Sequence, residues 1–582
     1  MTPAAPTLPP RYAVPAVAED EVAVLAARLA VAPLVARVLW LRGHRDVAAA
    51  AAFLSPKLGQ LVSPFELPDM DLASERIAQA VKDKEKIAVC GDYDVDGMTG
   101  TALLVRFLRL VGGDATYAIP DRASDGYGLS VATVERLAAQ GVTLLVTVDN
   151  GVTAHAALER AAMLGMEAVV TDHHLPGATL PRAVAIVDPM RTDRPKGAGA
   201  PLCGCGLAFK LAWGVAEALK RARRDPALRQ FLVDAVGLVA LATIADVMPL
   251  VGENRVLVAA GLTALRGSRH AGVRALLDVA GVGTSALTAE DIVWRLAPRL
   301  NAAGRMNTPS HAIDLFTTED DATARALAGE LERANEERRR IEKGVVEEAM
   351  ACAGPVGAGR RALVVAGEGW HRGVIGIVAA RLVDAHRLPA VVIGLEGDGG
   401  RGSCRTTGRV HLVEALTACG SHLRRYGGHA AAAGLEVDRA AVPAFADAFE
   451  AAVAAQGTGC VTDDAVAVDA EATPGDFTLD VVGQLRQLAP FGAGNPEPRF
   501  LLRGVEVAGR PKLMGAHGEH LSFAVKTPVG AIRVVAFRRG AAHDLVASGA
   551  PLDLVATPTI NEWRGMRTPE LQLQAIEASP AR

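Results

Sequence analysis

The sequence predicts a multidomain α/β chain: a parallel-sheet domain, one long connecting helix, a second αβ domain and a small C-terminal β-barrel. Three observations carry that reading. The 582 residues exceed what one core organises and suit three or four domains of roughly 150 residues each. From Lys86 to Pro189 short β-branched runs alternate with helical stretches, the pattern of βαβ units. Beyond Thr473 the rhythm changes to short alternating strands divided by Gly and Pro, as in FLLRGVEVAG and PLDLVATPTI, which suits a small barrel.

In chain order, residues 1–75 read as an Ala-rich helical lead. Residues 76–315 hold the parallel-sheet domain, with strands ending at Cys90, Val148, Thr171 and Val187 and a weaker one near Ala118. The intervening pieces, such as TGTALLVRFLRLVG, carry apolar residues at three- and four-residue spacing and end in glycine, as helices do. Residues 316–355 form the connecting helix: Thr318 caps the acidic triplet Glu319, Asp320 and Asp321, and Leu327, Leu331, Ile341, Val345 and Val346 keep one stripe nearly to Ala351. After the break GPVGAGR comes the second αβ domain, residues 356–458, and then the barrel, residues 459–582.

With half its residues hydrophobic and 22% charged, the chain buries large cores and is not a disordered scaffold. A net charge of −4 removes any whole-chain basic field. Locally the balance differs: nine arginines face five acids from Arg361 to Ala430, and eleven basic residues face seven acidic ones from Arg499 to Arg582. The back half therefore offers positive surface to a nucleic acid. The excess of 51 arginines over 10 lysines is read as codon bias. Seven scattered cysteines without a CxxC pair imply neither a disulfide framework nor a zinc ribbon, and Cys203 and Cys205 are read as packing. The N-terminus lacks a signal-peptide layout and the apolar run Ala235–Ala245 is too short to span a bilayer, so a soluble, cytoplasmic protein without membrane partners is expected.

The chemistry concentrates at strand ends. Gly91–Gly97 reads GDYDVDG, placing Asp92, Asp94 and Asp96 alternately after a buried strand. Three carboxylates this close repel unless cations neutralise them, so a metal site is the first reading and a solvated acidic turn the other. An EF-hand fails, because its twelfth position is Leu103 and a strand precedes the loop. The next strands end in TVDNG, with Asp149, and in TDHH, with Asp172, His173 and His174. In an open parallel sheet ligands collect beyond the carboxyl ends of the strands, so the clusters are expected to meet in one crevice. Asp246 interrupts the apolar run LVALATIADVMPL and is a further ligand candidate, with helix capping as its alternative. Mixed carboxylate and imidazole donors suit manganese, or magnesium when waters complete its shell.

These motifs, GDYDVDGMTGTALL, TVDNG, TDHH and TIADVMPL, followed by APRLNAAGRM, GWHRGVIGIVAARL, RGSCRT, GGHAAAAG and FGAGNPEPRF, are similar in kind and order to those of the DHH phosphoesterase superfamily. Within it the chain most resembles the bacterial single-strand DNA exonucleases, over nearly all its length from Lys86. The resemblance implies a DHH domain, a DHH-associated substrate-binding domain and an OB-like barrel. It implies two divalent ions held by Asp94, Asp96, Asp149, His173 and Asp246 with Asp92 beside them, and His174 facing the scissile phosphate. It also implies a terminal-phosphate pocket of Arg122, Arg305, Ser403 and Arg405. From the residues themselves, Arg299 and Arg305 bracket RLNAAGR, whose small Ala302, Ala303 and Gly304 let substrate or neighbouring backbone come close, and the two glycines before His429 with the alanines after it place His429 against the nucleic acid. Several superfamily members carry a histidine shortly before the paired aspartates, whereas here Cys90 stands four residues before Asp94, leaving Asp92 or water to complete the second site.

The function expected is a metal-dependent 5′ to 3′ exonuclease on single-stranded DNA that releases 5′-mononucleotides in recombination and repair. The family implies single-strand binding protein and a RecQ-like helicase as partners. Phe500, Phe523, Phe537 and Trp563 are candidates for stacking on bases, or else fill the barrel core. The rival readings are a DHH phosphodiesterase of cyclic dinucleotides or short RNA, and a DNA-binding scaffold without catalysis.

Overall fold

The computed structural model describes residues 12–120, 128–193, 201–222, 224–283, 287–306, 308–355, 357, 359–408, 410–457 and 466–580. The first sheet consists of β1 (Lys86–Cys90), β2 (Asp114–Ala118), β3 (Leu144–Val148), β4 (Glu167–Thr171) and β5 (Ala185–Val187), ordered β2-β1-β3-β4-β5 and parallel throughout. Its strands are short apolar runs because crossover helices cover both faces. The order reverses beside β1, so the crevice for a ligand opens beyond the carboxyl ends of β1 and β3.

The rest of this domain is helical. From β1 the chain enters α1 (Val95–Leu110), and after β5 it runs through α2 (Gly204–Ala218) and α3 (Pro226–Ala245), which pack on α1 and on each other. The 20-residue α3 is longer than the apolar run that marks it in the sequence; it is apolar and long enough to cross a membrane, and most of it is buried in the core. A short helix, α4 (Ala297–Arg305), leads through the helix Ser310–Thr317 to the connecting helix α5 (Asp321–Ala353). The cap of α5 is Asp320 and not Thr318: its carboxylate accepts the Thr323 amide at 2.7 Å, and the Thr318 hydroxyl accepts the Asp320 amide instead.

The second sheet comprises β6 (Leu363–Glu368), β7 (Ala390–Glu396), β8 (Gly399–Arg405), β9 (Arg425–Gly428) and β10 (Ala432–Asp438), ordered β9-β10-β8-β7-β6, with α6 (Ile375–His386) crossing between the parallel pair β6 and β7. The C-terminal sheet has seven strands: β11 (Ala470–Glu471), β12 (Phe500–Val505), β13 (Val507–Met514), β14 (His520–Thr527), β15 (Gly530–Ala536), β16 (Leu552–Trp563) and β17 (Met566–Ala578). Its pairings run β11-β12-β16-β17-β15-β14-β13, leaving β11 and β13 as edges, so the expected closure into a barrel is not among them.

The N-terminal helices Glu19–Leu29, Pro33–Leu41 and Val47–Leu54 share their core with this C-terminal sheet. Val22, Leu25, Val35 and Phe53 lie in one cluster with Phe477, Phe500, Phe523 and Leu554, an association no local pattern announces. The helix Met70–Asp83 straddles the expected boundary at residue 75, because Met70, Ala73, Ile77 and Val81 pack into the first domain's core. Arg255, fully buried, ties the modules. Its guanidinium lies 3.7 Å over the Phe53 ring and donates to the carbonyls of Phe53, Leu488 and Ala489 at 3.0, 2.8 and 2.8 Å.

Replacing Arg255 by Met strands those carbonyls in the interior. We expect Arg255→Met to lower the unfolding free energy by about 3 kcal/mol in chemical denaturation, within the usual cost of unmade buried hydrogen bonds. An unchanged midpoint and slope would remove Arg255 as the tie.

Candidate metal centre and active site

Each acidic cluster arrives by its own local rule. Asp94 is the N-cap of α1, its Oδ1 accepting the amides of Asp96 and Gly97 at 3.0 Å, which fixes the loop after β1. Asp96, in the first turn of α1, is buried, and its two oxygens accept the amides of Gly204 and Cys205 at 2.6 and 2.7 Å. These are the first amides of α2, whose positive end favours an anion. Only glycine permits the approach, since a Cβ on Gly204 would stand 2.5 Å from that of Asp149. Asp149 follows β3 in the left-handed region at φ 63°, a conformation that Asp and Asn tolerate better than most residues.

The clusters meet at His173. Its Nε2 lies 3.0 Å from Asp149 Oδ1, 3.6 Å from Asp96 Oδ2 and 3.8 Å from Asp246 Oδ2. Asp246 immediately follows α3, at the helix end where a carboxylate is least favoured, so capping does not explain it. Two donor sets each bring three ligand atoms within 4.8 Å of one another: Asp149, His173 and His174, and Asp96, His173 and Asp246. Asp94 and Asp92 belong to the loop that carries Asp96.

The electrostatics describe a site short of positive charge. Burial raises the carboxyl groups of Asp96 and Asp149 above the usual range, and neighbouring carboxylates push the same way. Burial, then Asp96 and Asp94, push Asp246 up to about 8. Burial holds His173 below its ordinary value, although Asp96 opposes it. At His174 burial also disfavours the charge, yet the hydrogen bond it donates to Asp172 and that carboxylate's charge outweigh burial and raise the imidazole. Hard oxygen donors with one neutral imidazole, mutually repelling and partly desolvated, fit divalent manganese or magnesium.

Two further acids stand at strand ends, Asp172 from the TDHH cluster and Asp188, which the sequence reading missed. Asp172, buried, accepts from His174 Nδ1 at 2.7 Å and from the amides of Val152, His173 and His174, so it orients the His174 ring. Asp188, at the end of β5, is fully buried; its Oδ1 accepts the Met190 amide at 2.7 Å and burial pushes its carboxyl up to about 7. It was legible as a fourth acid on a strand end, in AIVDPM. Cys203 and Cys205 are buried thiols raised by desolvation, and what their segment supplies is backbone amides.

The residues expected at a terminal phosphate divide. Arg305 ends α4 and donates to the Gly373 carbonyl at 2.9 Å, just before α6. Ser403 and Arg405 on β8 are 3.1 Å apart and border the first turn of α6, where a Cβ on Gly376 would come within 3.1 Å of both. Those three therefore gather around one helix start. Arg299 does not join them: buried, it donates to Glu332 on α5 and to the carbonyls of Arg295 and Val279, clasping α4 to the long helix. His429 is exposed in the turn between β9 and β10, its amide donating to the Ala432 carbonyl. Arg122 lies outside the described residues. Of the aromatic candidates, Phe500 and Phe523 fill the C-terminal core, whereas Phe537 and Trp563 are exposed.

The geometry can be set beside known proteins. Residues 86–243 match the DHH family N-terminal domain, residues 359–455 the DHHA1 domain and residues 468–575 the RecJ OB domain. The chain is 34% identical to the single-stranded-DNA-specific exonuclease RecJ of Escherichia coli, over 96% of this chain and 97% of that one. It is 36% identical to the RecJ of Thermus thermophilus, over 94% and 75%. The crystal structure of Thermus thermophilus RecJ in complex with Mn2+ superposes with a TM-score of 0.83 at 33% identity, covering 98% of this chain and 79% of that one. The corresponding Mg2+ complex gives 0.76 at 31%, covering 98% and 78%.

A carboxyl whose folded value is raised contributes stability below its unfolded value near 4 and loses it as pH rises through about 8. In chelator, Asp246→Asn should therefore leave thermal stability nearly unchanged at pH 4.5 and raise it relative to wild type at pH 9. Equal melting temperatures at pH 9 would show that Asp246 is not a crowded carboxyl.

Proposed function

As the chain belongs to the RecJ family of single-stranded-DNA-specific exonucleases, we propose that it degrades single strands from the 5′ end and releases 5′-mononucleotides. The enzyme is a metal-dependent nuclease of the DHH type. The observation that carries the mechanistic reading is the convergence of Asp96, Asp149 and Asp246 on His173 Nε2 within 3.0 to 3.8 Å. Those residues, with Asp94 and Asp92, would hold two divalent ions. When bound, such a pair activates the attacking water, neutralises phosphate oxygens and stabilises the leaving 3′ oxygen.

The chain's own groups do the rest. Asp172 fixes His174 through Nδ1, so the other ring nitrogen is the one available to a phosphate oxygen, and the raised imidazole favours a charged donor there. Arg305, Ser403 and Arg405 supply forked and hydroxyl donors suited to the 5′-terminal phosphate. Arg122 and His429 are proposed contacts of the same strand. We read residues 76–315 as the catalytic domain, 356–458 as the substrate-binding domain and 459–582, with the N-terminal helices, as a grip on the strand. Single-strand binding protein and a RecQ-like helicase are the proposed partners and the cytoplasm the proposed setting, where strands are unwound and kept single.

Manganese titration of metal-free protein on a 5′-phosphorylated oligonucleotide, with a dinucleotide alongside, tests the reading; activity that ignores the metal, or that prefers the dinucleotide, rejects it. Asp149→Ala should abolish cleavage while binding of the strand persists. Arg405→Ala should reduce the preference for a 5′-phosphate over a 5′-hydroxyl by about ten-fold, the scale of one charge-assisted hydrogen bond; an undiminished preference takes Arg405 out of the pocket.

A further inference from the structure

Beside the metal-binding group the surface carries a feature that neither hydrolysis nor the phosphate pocket uses. Residues Ile292–Leu296 form one π-helical turn just before α4, the Ala297 amide bonding back to the Ile292 carbonyl. Such turns carry an extra residue and are frequent at functional sites. Here Ile292 and Leu296 point into the core while Val293 and Trp294 turn outward, and Trp294 is 70% exposed. Next to Asp246, Val247 adopts a left-handed φ of 57° and is 71% exposed. Val247 is thus a large apolar side chain held in the open next to a ligand candidate, and Trp294 lines the same two cavities as Val247.

They line two neighbouring cavities. One cavity of about 600 Å3 lies between α3, α4, α5 and α6, and a second of about 820 Å3 runs from α3 to the C-terminal domain at Phe491 and Pro558. Ile244, Val247, Val293 and Trp294 line both, so Trp294 borders the two cavities at once. In the first cavity Arg338 pairs with Glu342, while Arg339 and Lys343 on α5 are exposed and have no ion-pair partner among the described residues. A flat indole in one cavity with Arg339 and Lys343, with Glu342 and Glu347 also in its wall and Val247 next to Asp246, matches the chemistry of a base flanked by its phosphates.

We infer that Trp294 is a stacking platform for a base of the single strand close to the scissile phosphate, with Val247 completing the shelf and Arg339 and Lys343 drawing the adjoining backbone. The occupant is the substrate, so the inference rests on the exonuclease reading and adds a positioning residue to it. Stacking acts through any base, which gives grip on the strand without sequence preference.

The test uses the full chain loaded with Mn2+. On a 5′-phosphorylated oligothymidylate, Trp294→Ala and Trp294→Leu should raise KM by about ten-fold, the order of one lost base stack, with the loss falling on KM more than on kcat, and Trp294→Phe should restore most of it. Trp294→Leu keeps apolar bulk without a π face, so it guards against a simple folding defect, checked by an unchanged melting temperature. A series of strands with a single abasic site moved inward from the 5′ end should reveal one position at which wild type is slowed and Trp294→Leu is no slower than on the intact strand. Identical KM values and identical abasic profiles in wild type and Trp294→Leu would overturn the inference, as would loss of single-strand binding protein capture with both left unchanged, which would make the shelf a protein contact. Failure of wild type itself to degrade single strands would instead reject the proposed function.

Discussion

Buried carboxylates crowded around one imidazole are the constraint from which the rest of the first domain follows. Asp96, Asp149 and Asp246 all have raised carboxyl groups because each is desolvated and each lies near other carboxylates, Asp94 among them in every case. Such a group is unfavourable unless it is neutralised by protons or by cations. The surrounding structure is arranged to hold the donors in place all the same: a cap at Asp94, helix-end amides for Asp96, a left-handed backbone at Asp149 and a glycine that lets α2 approach. Strain and repulsion of this kind persist where function requires them.

A second consequence concerns spacing. Gly304 approaches the loop of Asp92–Asp94 so closely that a Cβ there would meet the Tyr93 carbonyl at 2.1 Å, and Arg305, the next residue, bonds to Gly373 ahead of α6. One short helix end therefore touches both the Asp92–Asp94 loop and the segment bordered by Ser403 and Arg405. On the proposed reading, the distance from the terminal phosphate to the scissile bond is set by packed backbone and not by the linker between domains. Arg299, clasped to Glu332, holds that helix against α5.

The strand-end acids were readable because a parallel sheet delivers successive strand ends to one edge, so the motifs GDYDVDG, TVDNG and TDHH had to converge. The long helix was likewise readable from its stripe, though its cap lies two residues later than Thr318 because a carboxylate at Asp320 reaches the Thr323 amide. Trp563 and Phe537 on the surface and Phe500 and Phe523 in the core show the limit of that method, since all four look alike in an alternating strand.

What the sequence by itself determined is therefore whatever depends on local periodicity and on acids at strand ends: the βαβ order, the connecting helix, and the identity of most metal-ligand candidates. Only the tertiary structure decided that Arg299 is a clasp, that the segment Cys203–Cys205 serves through its amides, that Asp188 is buried beside the site's strand edge, and that residues 19–54 complete the C-terminal core. Each of these depends on packing against elements tens to hundreds of positions away, even where, as at Asp188, the hydrogen bond itself is local. Contacts of that length leave no period in the chain, because the energy that selects them comes from burial and hydrogen bonding formed only once the elements have packed.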